Sequence, residues 1–203
     1  MKKRILSLLL ALVMVLVLVP TVALAEGAPT MSGTCGASGN ENNVKWELTD
    51  VDGDGKYTLT ISGTGAMKNF TVNSKNDDRP WKDFISSITK GVVAQGVTNV
   101  GDRSFYNCSS MTSVELTDGI ILITGGAFEN CTSLTSLTLP KGLEKFGGNA
   151  FKGCTGLTGE LVIPDSVREI RNWAFMNCTS ISSVSIGKNV ESISASAFEN
   201  CKS

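Results

Sequence analysis

Five cysteines recur at nearly constant spacing: Cys108, Cys131, Cys154, Cys178 and Cys201. Regular thiols could hold a metal, form a chain of disulfides or supply nucleophiles. Zinc sites gather cysteines in pairs a few residues apart, and no such pair occurs here. In stacked turns, identical positions set their side chains next to each other, which suits packing better than bridging. The five therefore read as buried free thiols acting as small apolar residues. Cys35 lies outside the series and stays open as a disulfide partner for one of them.

The chain contains no histidine. That removes the usual general base, the usual partner of a catalytic serine or cysteine, and the usual zinc ligand. The many Ser and Thr residues therefore lack an activating base. A glycosidase would need two carboxylates facing each other across a cleft. The acids Asp118, Glu144, Glu169 and Glu191 instead fall on turns or outward strand positions. No catalytic residue and no cofactor is predicted. Residues 50–55 place Asp50, Asp52 and Asp54 at the first, third and fifth positions of a calcium-loop pattern, with Gly55 at the sixth. Ile61 stands where the pattern requires a bidentate acid. The stretch reads as a hairpin turn, with weak calcium binding by the three aspartates as the alternative.

The elements that position these residues come from a repeat. Phe105, Phe128, Phe151, Phe175 and Phe198 each precede a repeat cysteine by three residues. A fixed period of this length marks a stacked array. Apolar residues fall eight and five positions before each Phe, as in Ile120 and Ile123, and three after each Cys, as in Leu134. Alternating pairs follow: Val114/Leu116, Leu137/Leu139, Leu161/Ile163 and Val184/Ile186. One interval holds an extra residue near Thr158-Gly159-Glu160, just before a strand, where a bulge absorbs it. The fold class is mainly β: a solenoid of about 23-residue repeats with short strands and brief helical turns, preceded by an N-terminal β-hairpin cap. Two narrow parallel sheets would rise roughly 4.8 Å per turn around one core.

In chain order, residues 1–25 have a basic start, an apolar run and Ala23-Leu24-Ala25, the parts of a cleaved secretory signal peptide. Residues 26–40 read as a flexible lead-in, 41–87 as the cap and 88–203 as the solenoid. Residues 88–100 are a degenerate first repeat, and the last repeat is incomplete. The charge is −1. Without Lys2, Lys3 and Arg4 it is about −4, which argues against nucleic acid as a partner. No stretch after the signal is apolar and long enough to span a membrane.

Ala127-Phe128-x-x-Cys131-Thr-Ser-Leu134-Thr-Ser-Leu137-x-Leu139-Pro140 resembles the BspA-like leucine-rich repeat of bacterial secreted and surface proteins. Ala174-Phe175-x-x-Cys178-Thr-Ser-Ile181 repeats it. The segments around Cys35, Trp46, residues 59–67 and Pro80-Trp81 resemble the lead-in of such proteins. The resemblance implies an extracellular solenoid, often adhesive, with no one ligand. The chain departs from it in showing no obvious C-terminal cap, wall anchor or partner domain.

The exposed rows are then the candidate sites. One row presents Ser113/Glu115, Ser136/Thr138, Glu160/Val162 and Ser183/Ser185. In the other, Ile121 and Leu122 break the polar rule. Trp173 stands where other repeats carry Arg103, Gly126, Asn149 or Ser196, either as a binding anchor or as a shield over a neighbouring rung. The candidate ligand-binding residues are thus Ile121, Leu122, Trp173, Glu115 and Thr138. The expected role is non-catalytic adhesion or recognition of an extracellular protein or glycan surface. An enzyme-associated targeting module and a spacer at the cell envelope are the alternatives. The uncapped C-terminal repeat is expected to favour self-association.

Overall fold

Val44, Trp46 and Leu48 alternate with Lys45, Glu47 and Thr49, and the strand they form buries its apolar side. The structure is a computed structural model that describes residues 30–202. The stretch read as a signal peptide, residues 1–25, lies outside the described residues. Strands β1 (Met31–Thr34), β2 (Val44–Thr49) and β3 (Tyr57–Gly63) form an antiparallel meander. Thus β1, within the stretch read as a flexible lead-in, is an ordered strand paired with β2. Gly33 permits this pairing, because a Cβ there would come within 2.7 Å of the Trp46 indole nitrogen.

The remaining strands are short: β4 (Gly65–Ala66), β5 (Ile88–Val93), β6 (Val97–Val100), β7 (Ser113–Leu116), β8 (Leu122–Ile123), β9 (Lys145–Phe146), β10 (Gly159–Val162), β11 (Glu169–Ile170), β12 (Ile181–Ser185) and β13 (Ser192–Ile193). They fall into two rows. The first runs β1-β2-β3-β5-β7 and, after an interruption, continues as β10-β12. The second runs unbroken as β4-β6-β8-β9-β11-β13. From β3 onward every pairing is parallel. The extra residue of the 24-residue interval is absorbed as a register shift at Gly159/Glu160.

One apolar core joins cap and repeats. The repeat phenylalanines stack along it with centroid separations of 4.9, 5.0, 5.3 and 5.4 Å and interplanar angles below 10°. The cysteines are free, and all but the half-buried Cys201 are buried. From Cys131 onward each repeat thiol donates to the carbonyl of the Phe one rung earlier, for instance Cys131 Sγ to Phe105 O at 3.1 Å and Cys178 Sγ to Phe151 O at 3.2 Å. The thiol series is therefore packing with a weak hydrogen bond, and Cys35 forms no disulfide.

The brief helical turn expected at each Ala-Phe is a chain of hydrogen-bonded turns. The one helical segment among the described residues is the 3-10 turn Lys82–Phe84. Left-handed residues explain why no helix forms. Two positions before each Phe lie Arg103, Gly126, Asn149, Trp173 and Ser196, with φ between 54° and 61°. Two positions after lie Asn107, Asn130, Gly153, Asn177 and Asn200, with φ between 59° and 74°. Through Asn177, both positions and the Phe between them send their N–H along the stack, except Trp173, whose N–H has no backbone acceptor among the described residues. Gly126 N donates to Gly148 O at 2.9 Å, Phe128 N to Ala150 O at 2.8 Å and Asn130 N to Lys152 O at 2.8 Å. The turns thus form their own inter-rung ladder. Asparagine suits the later position because its short polar side chain tolerates this conformation. There Asn130 Nδ2 also donates to Asn107 Oδ1 at 3.0 Å.

The cap is held to the first turn by a buried charge. Arg79 sits in an ion pair with Asp77 at 2.5 Å and donates to the carbonyl of Tyr106 at 2.7 Å. Beside it, the Trp81 indole N–H donates to Ser104 O at 3.0 Å. Burial acts to raise the Asp77 carboxyl, but the Arg79 side chain and backbone N–H bonds outweigh it and hold the group below its ordinary range.

Candidate recognition site

The second strand row carries a groove of about 440 Å³. Its walls are Leu122 of β8, Lys145 and Phe146 of β9, Arg171 after β11, and Asp102; its floor is Gly125, Gly147 and Gly148. The floor is low for two reasons. A Cβ on Gly147 would stand 2.6 Å from the backbone nitrogen of Gly125, so neighbouring rungs approach each other closely there. Gly125 and Gly148 have no positive φ and no such clash, so their lack of a side chain leaves space without being required by packing.

Trp173 follows Arg171 by two residues and is 44% exposed. It holds φ at 60°. A left-handed conformation costs a bulky L-residue on the order of 1–2 kcal/mol. The exposure of Trp173 does not choose between the anchor and shield readings of the sequence; the strain was not visible in the sequence, because the residue types at this position share no chemistry. Ile121 is 48% exposed and directly precedes Leu122, which is half-buried. Leu122 and Arg171 share the groove across two rungs.

Glu115 and Thr138 lie on the first row, away from this groove. Glu115 pairs with Lys90 at 2.6 Å across β5 and β7. Thr138 is exposed on a first-row segment that pairs with neither neighbouring strand: among the described residues, the backbone of residues 136–139 makes no backbone hydrogen bond. A second groove of about 390 Å³ opens there, lined by Leu137, Thr138, Leu139, Lys141, Glu160, Val162 and Pro164. The five predicted residues thus divide between two surfaces.

Residues 83–203, more than half of the chain, match the BspA-type leucine-rich-repeat region in six copies. The chain belongs to the BspA-type leucine-rich-repeat family. A leucine-rich repeat protein from Eubacterium ventriosum is 29% identical, with a TM-score of 0.60 over 84% of this chain and 45% of its own. A leucine-rich repeat protein from Bacteroides ovatus is 23% identical, with a TM-score of 0.57 over 77% of this chain and 43% of its own. A leucine rich cell surface protein from Faecalibacterium prausnitzii is 24% identical, with a TM-score of 0.52 over 71% of this chain and 38% of its own. At their identities the last two share the fold alone. The chain spans less than half the length of each of these proteins. No protein of curated function matches it.

In this BspA-type repeat protein three of the four acids considered for chemistry are engaged structurally, and the fourth, Glu144, is exposed with no side-chain partner among the described residues. Asp118 Oδ1 accepts from Lys141 N at 3.0 Å, Glu169 pairs with Arg171 at 3.1 Å, and Glu191 pairs with Arg168 at 2.7 Å. In the calcium-like turn, Asp50 points inward and accepts the N–H groups of Gly53 at 2.8 Å, Asp54 at 3.2 Å and Gly55 at 2.9 Å. Asp54 binds Lys56 at 2.7 Å, and Asp52 is exposed. The turn uses these acids to order its own backbone, and no cluster of three metal-ligating side chains forms among the described residues. Repeat proteins of this class are in general non-catalytic. Among the described residues no helix is long and apolar enough to cross a membrane.

Proposed function

We propose that the chain is a secreted or cell-surface recognition module that adheres to an extracellular protein or glycan surface through its second strand row. The observation that carries this reading is Trp173, half exposed and held at positive φ two residues after Arg171, a wall of the glycine-floored groove. Strained backbone persists where the surroundings impose it and where function uses it. A large exposed aromatic is also the residue type most enriched among binding anchors. The signal-peptide reading of residues 1–25 and the bacterial relatives support an extracytoplasmic location.

The test is binding of the purified chain to immobilised matrix proteins, glycans and bacterial cell-wall material. A Trp173→Gly, Ile121→Ser, Leu122→Ser variant runs beside it. Saturable binding that drops at least tenfold in the variant supports the reading. Undiminished binding moves the site to the first row or the cap, and no binding to any member of the panel leaves the chain as a spacer.

A further inference from the structure

The groove also contains an interrupted series of hydrogen bonds. Three residues before each Phe lie Asp102, Gly125, Gly148, Asn172 and Ala195. At the first two of these positions, Asp102 and Gly125, the N–H is capped by a side chain on the preceding rung, whereas Ala195 N has no acceptor among the described residues even with Asn172 before it. Asn69 Oδ1 accepts from Asp102 N at 2.9 Å, and Asp102 Oδ1 accepts from Gly125 N at 2.8 Å. The series then stops. Gly125 has no side chain to cap Gly148, and Gly148 has none to cap Asn172. Among the described residues, neither N–H finds an acceptor.

These donors lie at or beside the floor of the groove whose walls carry Lys145 and Arg171. The third charged lining residue, Asp102, already accepts the Gly125 N–H. Arg171 is oriented by Glu169 at 3.1 Å, whereas Lys145 has no ion-pair partner among the described residues. One rung below, the protein itself places a carboxylate on the equivalent N–H. Nothing in the packing forces glycine at 125 or 148, where an added Cβ would meet only ordinary contacts at 3.4 Å or beyond.

We propose that this groove binds the carboxylate of an acidic sugar unit in a glycan. The carboxylate takes the place that Asp102 fills one rung earlier, accepting the N–H of Gly148 or Asn172 with Lys145 and Arg171 alongside. The glycine floor lets a pyranose ring lie close to the backbone. Trp173, exposed and directly after Asn172 in the chain, is the aromatic we assign to the ring's C–H groups, which is why a glycan is favoured over an acidic peptide. This deepens the recognition reading above and rests on it.

The experiment titrates the chain with an oligogalacturonate of four residues, its fully methyl-esterified counterpart and a tetraglutamate peptide. Two variants accompany it. Gly125→Asp supplies the missing cap from within, and Lys145→Ala/Arg171→Ala removes the cations. Melting curves confirm that each variant is folded. The expected result is saturable binding of the oligogalacturonate, at least tenfold weaker binding of the ester, and at least tenfold loss in both variants, with no drop in the melting temperature of Gly125→Asp. Equal binding of acid and ester, or undiminished binding by Gly125→Asp, overturns the proposal. If Gly125→Asp does not fold, the cation variant decides by the same criterion. Equal or tighter binding of tetraglutamate overturns the glycan assignment in favour of an acidic peptide. Failure of the oligogalacturonate to bind while panel binding still depends on Trp173 overturns this inference and leaves the recognition reading standing.

Discussion

The two strand rows are built from the same repeat, yet they differ in continuity. The second row runs through six strands without a gap, from β4 to β13. The first stops after β7, and residues 136–139 cross the gap with no backbone hydrogen bonds before β10 and β12 resume. The phenylalanine stack and the turn ladder pass through the same rungs unbroken. Cohesion between rungs therefore resides in the core and the turns, and the strand rows are free to vary. Trp173 and the floor glycines Gly125, Gly147 and Gly148 lie in the turns that follow the strands of the second row, so the surface they form flanks that row without interrupting its register.

The comparison breaks most sharply at the stack. Phe151→Ala should cost about 3–5 kcal/mol, the range for deleting a buried aromatic. Denaturant melts will measure it, and a cost near zero would move the cohesion back to the strands. Arg79→Ala removes one partner of a largely buried ion pair at the junction of cap and first turn, and should cost about 3 kcal/mol. The same melts would show a surface-like loss below about 1 kcal/mol if the cap docked independently of this pair.

The buried thiols give a pH test of the core. Burial pushes Cys35 and Cys108 from an ordinary 9.0 up to about 12. The Cys178 thiol is also held up, first by the neighbouring Cys201 thiol and then by burial. A folded pKa above the unfolded one means that the native state keeps protons the unfolded state releases. The stabilisation is complete below pH 9 and is lost between about pH 9 and 12, by about 1.4 kcal/mol per pH unit for each such thiol. Urea melts over that range should show the fall, and Cys108→Ala should reduce its slope. A flat profile would contradict buried, neutral thiols.

Hydrogen exchange sharpens the contrast between the rows. The amides of Leu137, Thr138 and Leu139 should exchange well before those of Phe128 and Phe151, which bond to the next rung. Equal protection would mean that the first row is paired after all. The smallest expected effect concerns backbone strain. Trp173→Gly and Trp173→Ala both delete the indole, but only glycine accepts φ near 60° without penalty. The Gly variant should be more stable than the Ala variant by about 1 kcal/mol.

Much of this was legible in the sequence. The spacing of Phe, Cys and the apolar pairs defined the rungs and both rows, because a repeated core position must repeat its side chain. Ile121 and Trp173 could be identified as exposed because they broke the polar pattern of their row. Three features left little trace. Arg79 and Asp77 lie in a polar stretch of the cap, where a buried charge beside its partner looks like surface sequence. The left-handed position before each Phe is filled by Arg, Gly, Asn, Trp or Ser, so no residue type announces it. Residues 136–139 belong to the most regular repeat, yet theirs is the first-row segment that fails to pair. Pairing depends on the neighbours' register, which one repeat's composition does not encode. The cap series ending at Gly125 was missed for a related reason: its signal is an absent side chain, meaningful only once Asp102 is seen on the N–H below it.

The central claim is that the second row is a recognition surface anchored by Trp173. Its most direct test is the binding of Trp173→Gly alone to the panel of matrix proteins, glycans and cell-wall material, with its melting temperature measured in the same buffer. The account predicts a fold that melts within a few degrees of the parent and binding reduced at least tenfold. Parent-like binding by a folded Trp173→Gly variant would contradict it.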